Sequence, residues 1–208
     1  MTDTEQSTPE LRAVEVHGLT RASFILKGML ATGAAYGATA VAPFVSNALA
    51  ASSDIDILNF ALTLEYLETD FYKVKGTAVH LGGEARKLAK SFGDEEAQHV
   101  TALTGAIKKG GGKPVKMPHF SFPVTDQAGF LKLAYTLENV GVGAYNGAGP
   151  SLKSKALLAA AGSIVQVEAR HAASIAVLTG KRITPNGAFD KPLTKHQVLA
   201  KAGPLIKS

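Results

Sequence analysis

The sequence predicts an all-α fold, a four-helix bundle with one long crossover between its second and third helices. Apolar residues recur at helical spacing in four long segments, and glycine or proline punctuates the ends of these segments. One connection is too rich in both residues to be helical. The 208 residues are 46% hydrophobic and 19% charged, which suits one globular domain with a sizeable core.

The helical pattern is arranged as two hairpins. The four predicted helices cover residues 54–79, 84–109, 126–148 and 151–179. Asp126 is a good N-cap for the third helix, and Gly149 followed by Pro150 separates it from the fourth. Gly93 inside the second helix suggests a kink. Because the connection within each hairpin is short, its two helices are expected to be antiparallel neighbours.

The connection between the hairpins, residues 110–124, begins with three glycines and contains three prolines. It is long for a loop and predicts a crossover. Two helical hairpins joined by one long crossover form the ferritin-like arrangement, rather than a bundle with short loops throughout. The basic tail, residues 181–208, is predicted to be a surface-packed extension with one short helix near residues 194–202.

The N-terminal segment, residues 1–50, reads as an export signal that is cleaved from the mature chain. Residues 20–27 resemble a twin-arginine signal, with Ala22 where the second arginine belongs. A weakly apolar run, residues 28–51, follows and contains small residues suited to cleavage. The competing interpretations are a retained membrane anchor and a soluble tail, and the glycines and proline in the run argue against the anchor.

This interpretation fixes the expected organisation and location. The predicted divisions are an export signal at residues 1–50, the bundle at residues 51–180 and a C-terminal extension at residues 181–208. The protein is expected to be exported, to the periplasm or the cell exterior, with no stable membrane span after cleavage.

Composition argues against a nucleic-acid partner and against any site built from cysteine. The formal charge of +5 at pH 7 could indicate a nucleic-acid partner, but the lysines are scattered rather than gathered into a stripe with aromatic residues. No nucleic-acid role is therefore expected. The chain has no cysteine, so neither a disulfide framework nor a thiolate metal site can form. Any metal must be bound through oxygen and imidazole.

Two Glu-x-x-His motifs place a carboxylate and an imidazole one turn apart on the same helix face. A single motif is a weak indication, because surface glutamate and histidine often occur at this spacing. Here each motif follows a further glutamate, and the separation between that glutamate and the motif is almost the same in both halves of the chain. The halves form an internal duplication, which Tyr72 and Tyr145 extend. The six ligand-type residues are Glu65, Glu96, His99, Glu138, Glu168 and His171.

The neighbours of the four glutamates indicate that these carboxylates face the core. Glu65 shares a helical stripe with Leu58 and Leu62, and Glu168 shares one with Ile164 and Ile175. Buried carboxylates that face one another repel strongly unless protons or cations neutralise them. Two divalent ions would balance four carboxylates, while neutral imidazoles add no charge. The sequence therefore predicts a two-metal site inside the bundle.

Three further residues lie near this predicted site. Glu68 is about 60° round the helix from Glu65, so a position behind the ligands or at the surface is expected rather than ligation. Tyr72 and Tyr145 are about 10 Å along the helix axis from their glutamates. Their ordinary interpretation is a buried tyrosine with one hydrogen bond, and the alternatives are capping the site or carrying an electron.

Taken together, these motifs resemble the ferritin-like domain family that includes desiccation-related proteins. The resemblance covers roughly residues 54–180 and is carried by residues 57–68, 96–100, 138–145 and 167–172. It implies two divalent metal ions, iron or manganese, with Glu96 and Glu168 bridging them. The groups it implies are Glu65, Glu96 and His99 around one ion, and Glu138, Glu168 and His171 around the other.

The expected function is redox chemistry with oxygen or peroxide at this dinuclear site, and the sequence favours none of the ferroxidase, peroxidase, catalase-like or oxygenase reactions. No residue is assigned a catalytic role. The alternative is a non-enzymatic metal-binding protein of the cell envelope that protects against desiccation or other stress. A storage cage is disfavoured by the export-like segment, the proline-rich crossover and the basic tail. The sequence is also compatible with a homo-oligomer.

Overall fold

The structure, a computed structural model, describes residues 53–207. The predicted export signal at residues 1–50, including its twin-arginine-like segment, lies outside the described residues. The described part is mostly helical, which confirms the all-α prediction. Four long helices, α1 (Asp54–Asp70), α2 (Gly83–Lys109), α3 (Gln127–Ala148) and α4 (Lys155–Leu178), precede one short helix, α5 (Lys195–Ala202).

Helix α1 begins with a capping box and ends in an irregular turn. The Ser53 hydroxyl accepts from the backbone N–H of Asp56, whose carboxylate accepts from the backbone N–H of Ser53. After Asp70 the chain continues through a π-helical turn, Phe71–Lys75, and one more α-helical turn, Gly76–Ala78. The predicted helix at residues 54–79 is therefore interrupted near its C-terminal end.

Gly93 of α2 packs against this π turn. A Cβ atom at Gly93 would lie 3.0 Å from Tyr72 Cβ and 3.1 Å from Lys73 Cγ. Helix α2 remains one continuous α-helix through this position. Glycine is therefore present at position 93 because α2 approaches the π turn closely there, and the α-helix is not interrupted as a kink would suggest.

The second hairpin begins at the predicted residue, but its second helix begins later than predicted. The Asp126 carboxylate accepts from Gly129 N at 2.8 Å and caps α3. Helix α4 begins at Lys155 rather than at residue 151, because Gly149–Ser151 form a 3-10 turn and Ser154 supplies the cap. The Asp54 carboxylate accepts from the backbone N–H groups of Lys153 and Ser154, just before α4, at 2.9 and 3.0 Å, and links α1 to the start of α4.

The crossover and the tail are joined by a small sheet. Strand β1 (His119–Phe120) pairs antiparallel with strand β2 (Ile206–Lys207). The predicted short helix of the tail is present as α5, where Val198 and Ala202 are fully buried. The tail therefore contributes to the core, whereas the sequence predicted packing over the surface.

Two apolar clusters lie along the bundle on either side of the polar positions. On α2, for example, Glu96 and His99 fall between Phe92 of one cluster and Leu103 of the other. Each hairpin packs most extensively within itself, α1 on α2 and α3 on α4. Across residues 53–207, no helix combines the length and the apolar character needed to cross a membrane.

Candidate metal centre

All six predicted ligand residues lie inside the bundle. Each of the four long helices contributes one glutamate, and α2 and α4 each add a histidine one turn further along. The four glutamates are each 0% exposed, while His99 is 9% and His171 2% exposed. The expectation that these positions face the core is therefore confirmed for residues on every helix.

One group of side chains converges around His99. Its Nδ1 atom lies 3.1 Å from Glu65 Oε2, 2.9 Å from Glu96 Oε2 and 3.4 Å from Glu168 Oε1. These four residues each offer a ligand atom within 4.8 Å of the others. A single cation placed among them would be within reach of three carboxylates and one imidazole.

The second group converges around His171 and shares two members with the first. His171 Nδ1 lies 2.9 Å from Glu96 Oε1 and 3.3 Å from Glu138 Oε2. Glu96, Glu138, Glu168 and His171 again offer ligand atoms within 4.8 Å of one another. Glu96 and Glu168 thus lie between the two groups, as bridging carboxylates must. Their role as ligands stays a prediction, and the structure supplies the proximity that it requires.

The described residues leave several polar atoms of this centre unsatisfied. Five buried atoms make no hydrogen bond of acceptable geometry among them, although His171 Nδ1 and Glu96 Oε1 lie 2.9 Å apart: Glu96 Oε1, Glu138 Oε2, both carboxylate oxygens of Glu168 and His171 Nδ1. An unsatisfied buried polar group costs about 1–3 kcal/mol. Carboxylate oxygen and imidazole nitrogen are good donors to divalent iron and manganese. The residues present therefore fit metal ions placed between the two histidines.

The pKa values show how strongly these groups interact. Burial raises the pKa of Glu65 to about 8 and that of Glu168 well above its ordinary value. Burial opposes ionisation of Glu96 as well, but the two histidines beside this carboxylate lower its pKa to about 2. Burial also disfavours charged imidazoles, yet the surrounding carboxylates raise the pKa of His99 to about 12 and that of His171 to about 11. A metal ion that binds here must displace a proton from each imidazole.

Two tyrosines connect the hairpins at this centre. The Tyr72 hydroxyl donates a hydrogen bond to Glu138, and the Tyr145 hydroxyl donates one to Glu65. Burial holds the pKa of both hydroxyls well above the ordinary value, so they remain protonated donors. The ordinary interpretation of both residues, a buried tyrosine with a hydrogen bond, is confirmed. Tyr72 lies in the π turn, an irregularity often found at functional sites.

Glu95 contributes a contact that the sequence analysis missed. Its Oε2 atom lies 2.5 Å from Nε2 of His171, the ring nitrogen that faces away from the other ligands, and its side chain is 41% exposed. A carboxylate on the outer nitrogen fixes the orientation of a ligating histidine. When the two halves are aligned on their Glu-x-x-His motifs, Glu95 corresponds to Val167, so the duplication gave no signal. Among the described residues, no carboxylate contacts Nε2 of His99.

Glu68 is more deeply placed than the sequence suggested. Only 3% of the residue is exposed, so the surface alternative is wrong. Its carboxylate approaches α3 at Gly141, next to the carboxylate of Glu168. The sequence held one signal for this arrangement, because the alignment that pairs Glu65 with Glu138 places Gly141 opposite Glu68.

One comparison with known proteins identifies the family of this part of the chain. A family model described as a ferritin-like domain matches residues 53–181. That range contains the four long helices and all six predicted ligand residues. No curated protein matches the chain.

Proposed function

The chain belongs to the ferritin-like domain family, and from this premise we propose that its buried centre binds two divalent ions, iron or manganese, for redox chemistry with dioxygen or peroxide. The observation that carries the proposal is the pair of four-residue groups that share Glu96 and Glu168. Two ions held by two shared carboxylates are the arrangement that such sharing suits.

The donor set divides between the two ions by proximity. Glu65 and His99 would hold one ion, Glu138 and His171 would hold the other, and the two shared glutamates would contact both. Four carboxylates balance two divalent charges once both imidazoles have released their protons. When bound, a pair of iron or manganese ions supplies electron exchange with dioxygen or peroxide.

The surrounding residues orient the ligands and limit access. The Tyr72 and Tyr145 hydroxyls each fix one carboxylate by donating a hydrogen bond, and Glu95 fixes the ring of His171. All four ligand glutamates are 0% exposed, so bulk water and large organic substrates are kept from them. This enclosure supports a reactant as small as dioxygen or hydrogen peroxide.

The unsatisfied buried atoms also favour a second candidate, a non-enzymatic metal-binding protein of the cell envelope that protects against desiccation or other stress. Unsatisfied buried atoms such as those of Glu168 would make bound ions stabilise the bundle whether or not they react. Ions in this role would bind tightly and would catalyse no consumption of oxygen or peroxide.

For the location of the protein we propose export to the periplasm or the cell exterior. The twin-arginine-like signal at residues 1–50, ahead of the bundle at residues 51–180 and the extension at residues 181–208, supports this. Mass spectrometry of protein isolated from the cell envelope should find an N-terminus near residue 51. An N-terminus at residue 1 or 2 would contradict cleavage and favour a retained anchor.

Metal analysis of the protein purified from its native compartment, followed by oxygen- and peroxide-consumption assays, tests the function. We expect two iron or manganese ions per chain, and we expect a chelator to abolish the consumption of oxygen or peroxide. His196→Ala, a change of an exposed histidine on α5, is the matched control and should keep both ions. Two ions without consumption would favour the protective role, and protein without metal would refute the proposal.

A further inference from the structure

The duplication breaks at Glu68, in the middle of the candidate metal centre. The alignment of the two halves pairs Glu65 with Glu138 and continues without a gap through both tyrosines. Between these matching positions it pairs Glu68 with Gly141. Helix α1 therefore carries one more inward carboxylate than α3, which has no side chain at the corresponding position.

Glu68 occupies space beside the bare backbone of Gly141. A Cβ atom at Gly141 would lie 2.7 Å from Glu168 Oε2 and 3.4 Å from Glu68 Oε1. Real Cβ atoms essentially never approach another atom as closely as 2.7 Å, so even alanine would force the Glu168 carboxylate to move. Glycine on α3 thus leaves room for carboxylates from α1 and α4 beside the same position of its backbone.

The described protein supplies no partner that accounts for the burial of Glu68. The residue is 3% exposed, and within residues 53–207 its carboxylate makes no side-chain hydrogen bond or salt bridge. The groups that act on it electrostatically are the four predicted ligand glutamates, with Glu168 the strongest. Both oxygens of Glu168 also lack a hydrogen-bond partner there. A buried carboxylate among other carboxylates calls for a positive charge.

We propose that Glu68 is a fifth carboxylate ligand of the metal centre, binding a divalent cation together with Glu168, and that Gly141 is the residue that admits it. The inference rests on the proposed function, because it concerns the same pair of ions. Carboxylate oxygen is a suitable donor to iron or manganese. Since α3 offers no counterpart, the two cation positions differ in their ligands and in their affinities.

The direct test is Glu68→Gln, which keeps the shape of the side chain and removes its charge. Protein freed of metal is titrated with Mn²⁺ by calorimetry, and the loaded protein is examined by electron paramagnetic resonance. We expect at least one ion to bind about tenfold or more weakly, with a changed Mn²⁺ spectrum. Asp70→Asn removes the same charge from a partly exposed residue on the same helix, and it should bind both ions as wild type does.

A second variant perturbs the same contact and leaves Glu68 in place. Gly141→Ala introduces the Cβ atom that conflicts with Glu168, so it should also weaken Mn²⁺ binding and change the spectrum. Gly162→Ala on α4 is its matched control, because a Cβ atom there would have no neighbour within 4 Å. Circular dichroism establishes that each variant is folded before it is titrated.

The outcomes separate this inference from the proposed function. Wild-type protein that binds no Mn²⁺, Fe²⁺ or other divalent ion would refute both. Wild type that binds two ions, with Glu68→Gln binding them equally well, would overturn the role of Glu68 alone. Weaker binding with an unchanged spectrum would also overturn direct ligation, because a remote charge alters affinity without altering the ligand set.

Discussion

Replacing Glu168 by leucine should stabilise the metal-free protein, although the residue lies at the centre of the core. Glu168 is 0% exposed, and neither carboxylate oxygen has a hydrogen-bond partner in the described residues. Ile164 and Ala172, one turn away on either side, are buried apolar residues of α4. Leucine is close to glutamate in size, so it would join this apolar stripe and remove an unsatisfied polar group.

The expected magnitude follows from the cost of an unsatisfied buried polar group, about 1–3 kcal/mol. Glu168→Leu should raise the free energy of unfolding of the chelator-treated protein by about this amount. For 150–250 residues, about 1 kcal/mol corresponds to about 2–4 °C, so the melting temperature should rise by about 2–12 °C. Added metal should raise the melting temperature of wild type much more than that of the variant, because both groups of ligands include Glu168.

Thermal melts followed by circular dichroism at pH 7, with chelator and with added Mn²⁺, measure these differences. Glu84→Leu is the control, because its side chain is 58% exposed and the change should stay within about 0.5 kcal/mol. Two results would refute the reasoning. One is a chelated Glu168→Leu protein that melts below chelated wild type, and the other is a wild type that melts equally with and without metal.

Three further predictions concern metal binding. His99→Ala and His171→Ala should each lose about one ion per chain, or bind it about tenfold or more weakly, whereas His196→Ala should lose none. Glu95→Gln should weaken binding about tenfold, because the ring of His171 loses a charged partner, while the neighbouring exposed change Asp94→Asn should not. Mn²⁺ affinity should fall as pH falls from 8 to 6, by about tenfold per unit for each proton displaced, because the carboxylates hold the pKa of both imidazoles far above neutrality.

Calorimetry and metal analysis check all three. Unchanged stoichiometry and affinity in either histidine variant would remove that histidine from the site. Equal affinities for Glu95→Gln and Asp94→Asn would show that the contact with His171 is incidental. A pH-independent affinity would mean that binding displaces no protons.

The long helices could be predicted because their signals are local. Helical periodicity and the Asp126 cap depend on residues within a few turns of one another, and both are as predicted. The π turn at Phe71–Lys75 had no such local signal, because it packs against Gly93 of α2, which is distant in the sequence. The burial of Val198 in the tail likewise depends on a distant part of the chain.

The six residues of the candidate site could be predicted because the three ligand-type positions of the first hairpin recur in the second. Repetition at a nearly constant offset distinguishes Glu65 and Glu138 from surface charges that occur singly. The same logic failed for Glu68 and Glu95, whose counterparts are Gly141 and Val167. Residues that make the two halves different cannot be found by searching for what the halves share.

The crossed hydrogen bonds of Tyr72 and Tyr145 bear on how such a centre could arise. Each tyrosine donates to a glutamate of the opposite hairpin, so a hairpin alone would need a second copy, related by a twofold axis, to close the same cavity. Its assembly would then depend on concentration, whereas the crossover makes the encounter intramolecular. In a homodimer both copies must carry the same residue at every position. Fusion into one chain removes that restriction, and Glu68 can face Gly141 only because the two hairpins are free to diverge.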